Sequence, residues 1–167
     1  VRGPFPIASH RLWARMEAQL IGGGKMDRIH GRDPHVWRDF IDAATKSLKR
    51  TARLHRYTNY TDLNREIVAA TGHPGFDFAS ADERSAMGDL LGDIVEETFD
   101  EHEVMLSSLV MYVNENKPGR GFFTLATQMG LLPKDATAEE RDEFWWDQVR
   151  SAQNAYGKKT RKFGDRS

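Results

Sequence analysis

The chain has 167 residues, with 24 Lys and Arg against 25 Asp and Glu, and no cysteine. That length fits one domain able to bury its own core, and the missing cysteine excludes disulfide frameworks, thiolate metal sites and thiol catalysis. No run approaches the roughly 18 apolar residues of a membrane span, and Val1 to Leu12 holds no apolar signal core, so the expectation is a cytoplasmic protein with no membrane partner. The net charge of −1 hides an uneven distribution: five Lys or Arg and no acid in residues 46–56, nine acids and one Arg in 82–103, six acids and one Arg in 135–147, five bases and one acid in 157–167. Solvated helix faces would account for such blocks without any ligand.

A first helix is predicted over residues 9–21, with Leu12, Trp13, Met16 and Leu20 at helical spacing and Ser9 as its cap. Gly22, Gly23 and Gly24 end it or form a hinge. Asp33 and Pro34 open a second helix, with Val36, Trp37, Phe40, Ile41, Ala44 and Leu48 as its apolar stripe. The cations near its C-terminus are favourable on dipole grounds alone. Thr61 is the expected cap of a third helix packed by Leu63, Ile67 and Val68 and ended by Gly72. Ser80 and Glu83 start a fourth, with Met87, Leu90, Leu91, Ile94, Val95 and Phe99 on its buried face and Gly88 and Gly92 suited to a close packing contact.

Residues 105–113 read as a strand, residues 114–121 as a turn around Pro118 and Gly119, and residues 121–130 as a returning strand that continues into a short helix. That is the one expected hairpin. Thr137 and Glu140 form a capping box for a last helix carrying Trp145, Val149, Ala152 and Tyr156 and ended by Gly157. The fold class is therefore mainly α with a small β-hairpin (α+β). A winged-helix-like core over 51–132 is flanked by an N-terminal helical extension (1–50), a C-terminal helix (133–157) and a basic tail, expected to be disordered (158–167).

Within that core, YTNYTDLNREIVAATG, MGDLLGDI and LSSLVMYVNENKPGRGFF carry a pattern. It resembles, over residues 57–123, a small bacterial domain of unassigned function found with mobile-element and restriction-type genes. Its organisation is also distantly similar to the winged-helix half of the alkylguanine alkyltransferases. The resemblance implies a nucleic-acid setting of phage, mobile-element or defence type. The Pro-Cys-His-Arg motif of the alkyltransferases is absent, so thiol alkyl transfer is excluded. Winged helices place one helix in the major groove. Here that helix is acidic, which phosphate would repel. The expected nucleic-acid contacts are therefore Lys46, Lys49, Arg50, Arg53, Arg56, Lys117 and Arg120.

Other clusters carry less. Asp100-Glu101-His102-Glu103 is too contiguous to converge on one ion. His30, Asp33 and His35 lack a recognised ligand spacing. Glu115 and Lys117 have the Glu-x-Lys spacing of metal-dependent nucleases but run into a turn. Ser107 and Ser108 have no nucleophile elbow around them, and on a strand one would point inward and one outward. Phe144, Trp145 and Trp146 occupy three azimuths of one helix and cannot share one core, which marks them as a partner interface. The reading is a non-enzymatic nucleic-acid-associated accessory protein without a cofactor. The alternatives are a protein-interaction or oligomerisation domain, and a metal-dependent nuclease using Glu115 and Lys117.

Overall fold

Pro34 fixes its own φ near the helical value and lacks the N–H that a first-turn residue leaves unpaired. In the computed structural model, which describes residues 27–157, it opens α1 (Pro34–Arg53). The chain then runs through β1 (Thr58–Asn59), α2 (Tyr60–Thr71), α3 (Ala81–His102), a 3₁₀ turn at Leu106–Leu109, β2 (Val110–Met111), α4 (Arg120–Gln128) and α5 (Ala138–Tyr156). The fold is mainly helical with one small sheet. None of the described helices is long and apolar enough to cross a membrane. The expected helix over 9–21, the glycine break, Trp13 and the basic tail lie outside the described residues.

The helix signals act much as the sequence implies. Asp33 is the N-cap residue of α1, although its carboxylate makes no cap hydrogen bond and instead lies 3.7 Å from Arg28. Gly72 closes α2 at φ 71°, donating its N–H to the Val68 carbonyl, a conformation costly for other residues. Ser80 accepts from the Glu83 N–H at the start of α3. Thr137 and Glu140 form a reciprocal capping box on α5. One cap moves: α2 starts at Tyr60, and Asn59, not Thr61, accepts from the Asp62 N–H at 2.8 Å. Gly88 meets no described neighbour within 4 Å of a Cβ position, so its expected close contact is not formed among the described residues.

The hairpin is not formed. β2 pairs with β1 in parallel, Thr58 with Val110 and Asn59 with Met111, across a crossover through α2 and α3. The expected return strand is α4, so there is no wing. Its apolar residues explain this: Phe122 and Ala126 are buried four residues apart, and Phe123, Leu125 and Met129 are half-buried beside them, which is helical spacing. The first part of the expected strand also coils, because every residue from Val104 to Met111 is buried and a run without alternating burial does not specify a period. Two hydrogen bonds from α5 hold it in that form. Trp145 Nε1 donates to the Ser108 carbonyl at 2.9 Å, and Gln148 Oε1 accepts from the Met105 N–H at 2.8 Å. Both Ser107 and Ser108 are consequently buried, against the expectation of one inward and one outward.

Buried side chains from Trp37 on α1 to Ala152 on α5 form one hydrophobic cluster. α1 runs across residue 50 and belongs to it. Full burial of a large apolar side chain stabilises by about 1.5–3 kcal/mol, and Phe40, Leu48, Leu63, Leu90, Ile94 and Leu106 are each completely enclosed. This core sets the ends of the small sheet, and with them the residues that face outward beside it.

Candidate nucleic-acid interface

The basic run on α1 lies along α3, and the two helices present opposite charges to each other. Arg38 bonds both oxygens of Glu97, at 2.5 and 2.7 Å, and also Asp42. Lys49 lies 2.9 Å from Glu101, and Arg50 lies 2.8 Å from Glu66 on α2. The hydrogen bonds that Arg38 donates to Glu97 and then to Asp42 raise its pKa. Glu101 is held below the usual carboxylate range, chiefly by the hydrogen bond from Tyr156 and, against some desolvation, by Lys49. Burial and that same bond raise the Tyr156 phenol. Three further acids of α3 are engaged internally: Glu83 pairs with Arg32 at 2.5 Å, Asp89 with His30 at 2.9 Å, and Asp93 accepts from Trp37 Nε1 at 2.8 Å. Of the five expected contacts on α1 and just after it, Lys49 and Arg50 are occupied. Lys46, Arg53 and Arg56 are exposed and have no ion pair among the described residues.

Lys117 and Arg120 stand in a different setting. They line a cleft of about 670 Å³ together with Tyr60, Phe78, Arg84, Tyr112 and Phe123. Because the strands are parallel, the residues that follow them, Tyr60 and Tyr112, leave the sheet side by side, and their rings lie 5.0 Å apart at 38°. A closed turn holds Tyr112 from behind. Its N–H donates to the Lys117 carbonyl at 2.9 Å, and its carbonyl accepts from the Asn116 N–H at 3.2 Å, with Asn116 at φ 47°. Gly119 then sits against both rings. Its N–H donates to Tyr60 Oη at 3.2 Å, and a Cβ on it would fall 2.6 Å from Tyr60 Oη and 3.3 Å from Tyr112 Oη. Burial, and then the neighbouring Tyr112, push the Tyr60 phenol up to about 12. Gly119 is also the N-cap residue of α4, with no side-chain cap.

The charge balance of this cleft is positive. Arg84, Lys117 and Arg120 line it against one carboxylate, Glu115. Arg84 donates to the carbonyls of Phe78 and Ala79, which orients the guanidinium without neutralising it. Lys117 and Arg120 are exposed and have no ion pair among the described residues. Tyr112 is 47% exposed and Val113 66%, so aromatic and apolar surface lies open beside the cations.

The remaining expected sites separate. Trp145 is buried, with its N–H bonded to Ser108, and so is no partner surface. Phe144 is half-buried against Phe122 at 5.9 Å. Trp146 alone of the three is exposed, at 39%, and meets Tyr57 edge-on at 6.3 Å. His30 is spent on Asp89, Asp33 faces Arg28, and His35 lies against His73. Glu101 binds Lys49 and Tyr156 while His102 packs on the Tyr156 ring. Glu115 and Lys117 lie exposed in the turn, and among the described residues no group of three or more His, Asp or Glu could hold a metal ion. Sequence reasoning missed Tyr60, Tyr112, Arg84 and Gly119 as one site, since their proximity depends on a parallel pairing that local pattern does not reveal. No family model, curated protein or solved structure matches the chain.

Proposed function

We propose that this protein is a nucleic-acid-associated binding protein with no catalytic step of its own, and that its phosphate contacts centre on Lys117, Arg120 and Arg84 rather than on the α1 face. The observation that carries this reading is the positively charged, aromatic-lined cleft, in which the cations have no carboxylate partner among the described residues. Cations free of internal partners can neutralise phosphates and release counterions. Lys46, Arg53 and Arg56 would add peripheral contacts. A cytoplasmic place and a mobile-element or defence setting belong to the same proposal, the setting resting only on the resemblance of residues 57–123.

The test is fluorescence anisotropy with labelled DNA at two salt concentrations. Binding should weaken steeply with salt, with a logarithmic slope of roughly −0.7 to −0.9 per phosphate contacted. Lys117→Ala/Arg120→Ala should lower affinity and reduce that slope, whereas Lys49→Ala/Arg50→Ala should change affinity less than about twofold, because those cations are already paired. No binding at low salt would overturn the reading.

A second reading, a protein-interaction surface, is favoured by the Trp146–Tyr57 pair, since exposed aromatics are frequent interface anchors. It predicts self-association or partner binding that resists salt and is lost in Trp146→Ala. Sedimentation velocity at high and low salt separates it from the first.

A further inference from the structure

We infer that the cleft between Tyr60, Tyr112 and Phe123 takes a single-stranded segment of nucleic acid, with an unstacked base on the Tyr112 ring and the adjoining phosphate at Lys117 and Arg120. This rests on the nucleic-acid reading above and narrows it to one kind of ligand and one seat.

Three features point that way. The first is shape. A winged helix reads duplex with a helix seated in the major groove, but here that helix, α3, is acidic and packs into the core, and the wing beside it is replaced by α4. The site is instead concave, and its volume of about 670 Å³ falls in the ~300–1,000 Å³ range of small-ligand pockets. A base enters such a space only when it is out of the helical stack.

The second feature is pre-organisation. Tyr112 is half-exposed, yet its backbone is bonded on both sides to the turn, and Tyr60 backs its ring. Tyr60 is fixed in turn by the Gly119 N–H. An exposed aromatic held in place loses little conformational freedom when a ring stacks on it, and base–aromatic stacking contributes about 1–3 kcal/mol per base without regard to sequence.

The third feature is the company of that ring. Lys117 and Arg120 flank the stretch that carries Gly119 beneath both tyrosine hydroxyls. Base face and phosphate would therefore be met within one nucleotide's reach. A backbone-tracking cationic rim beside an aromatic face is the general arrangement of sequence-tolerant single-strand binding. The acids of α3 do not oppose it: Glu83, Asp89, Glu97 and Glu101 are engaged with Arg32, His30, Arg38 and Lys49, and no acid of α3 lines the cleft.

The experiment compares the full chain against a labelled oligothymidylate of about ten nucleotides, within the ~4–16 nucleotide range of single-strand sites, and a hairpin duplex of equal phosphate count, with thymidine monophosphate as competitor. The expected results are preference for the single strand, poor competition by the monophosphate, and binding about 5- to 100-fold weaker in Tyr112→Ala but largely kept in Tyr112→Phe. Thermal melting of Tyr112→Ala, a change at an exposed side chain, checks that the fold persists. Equal duplex and single-strand affinity, with Tyr112→Ala within twofold of the parent while Lys117→Ala/Arg120→Ala still weakens binding, would overturn the single-strand inference and leave the broader reading standing. A monophosphate that binds as tightly as the oligomer would overturn it in favour of a nucleotide pocket. Absence of all binding would remove both.

Discussion

Residues 46–56 carry five cations, while residues 117–120 carry two, so charge density along the chain points to α1. In space two of those five are already neutralised. Lys49 and Arg50 face Glu101 and Glu66, and Arg38 just upstream is clasped by Glu97 and Asp42. Lys117 and Arg120 face an open cleft with a single carboxylate in its lining. Cations matter for a polyanion only to the extent that they are not already neutralised, and which carboxylates reach them is a property of helix packing. Exposed pairs such as these add only ~0–1 kcal/mol each to stability; their larger effect is to take Lys49 and Arg50 out of competition for phosphate, leaving Lys46, Arg53 and Arg56.

Gly119 is where the cleft is most vulnerable. Gly119→Val should destabilise by about 1–3 kcal/mol and displace Tyr60, since a side chain there meets two phenol oxygens. Urea unfolding measures it, and an unchanged midpoint would mean that the cleft is a loose surface rather than a fixed site. Next in size is an alkaline effect. The folded Tyr60 pKa of about 12 exceeds its ordinary value of 10, so its contribution is fully present below pH 10 and is lost as pH rises through 12, at up to about 1.4 kcal/mol per pH unit. Tyr156, also raised, adds in the same direction. Stability followed from pH 9 to 12 should fall, and less steeply in Tyr60→Phe.

Glu97→Gln/Glu101→Gln sharpens the contrast from the other side. It would free Lys49 and leave Arg38 paired with Asp42 alone, and DNA affinity should rise, with a salt slope steeper by about 1; an unchanged slope would show that α1 lies outside the path of the nucleic acid. The smallest effect belongs to Arg50→Ala, which should cost under ~1 kcal/mol in thermal unfolding, because its pair with Glu66 is largely exposed.

Much of the helical frame was legible residue by residue. Asp33-Pro34, Gly72, Ser80 and the Thr137–Glu140 box mark ends that local backbone geometry and hydrogen bonding decide. What was not legible depends on distant partners. Leu106–Leu109 coils because Trp145 and Gln148 reach it from α5. Arg120–Gln128 carried a helical stripe in Phe122 and Ala126, but the Pro-Gly before it read more readily as the tip of a hairpin. Within the candidate site, Lys117 and Arg120 could be named from the chain. Tyr60 and Tyr112 could not be paired, because a parallel crossover leaves no turn signal between its strands.

The same crossover bears on how the molecule assembles. Thr58 and Val110 are joined only after α2 and α3 have been laid between them, so the cleft depends on closing a loop of about fifty residues, which carries an entropic cost that local helices avoid. Non-local pairings of this kind form slowly relative to helices. Lys117, Arg120 and Tyr112 therefore come together only once the crossover has closed, and a nascent or partly unfolded chain would carry all its charges without the seat that gives them direction.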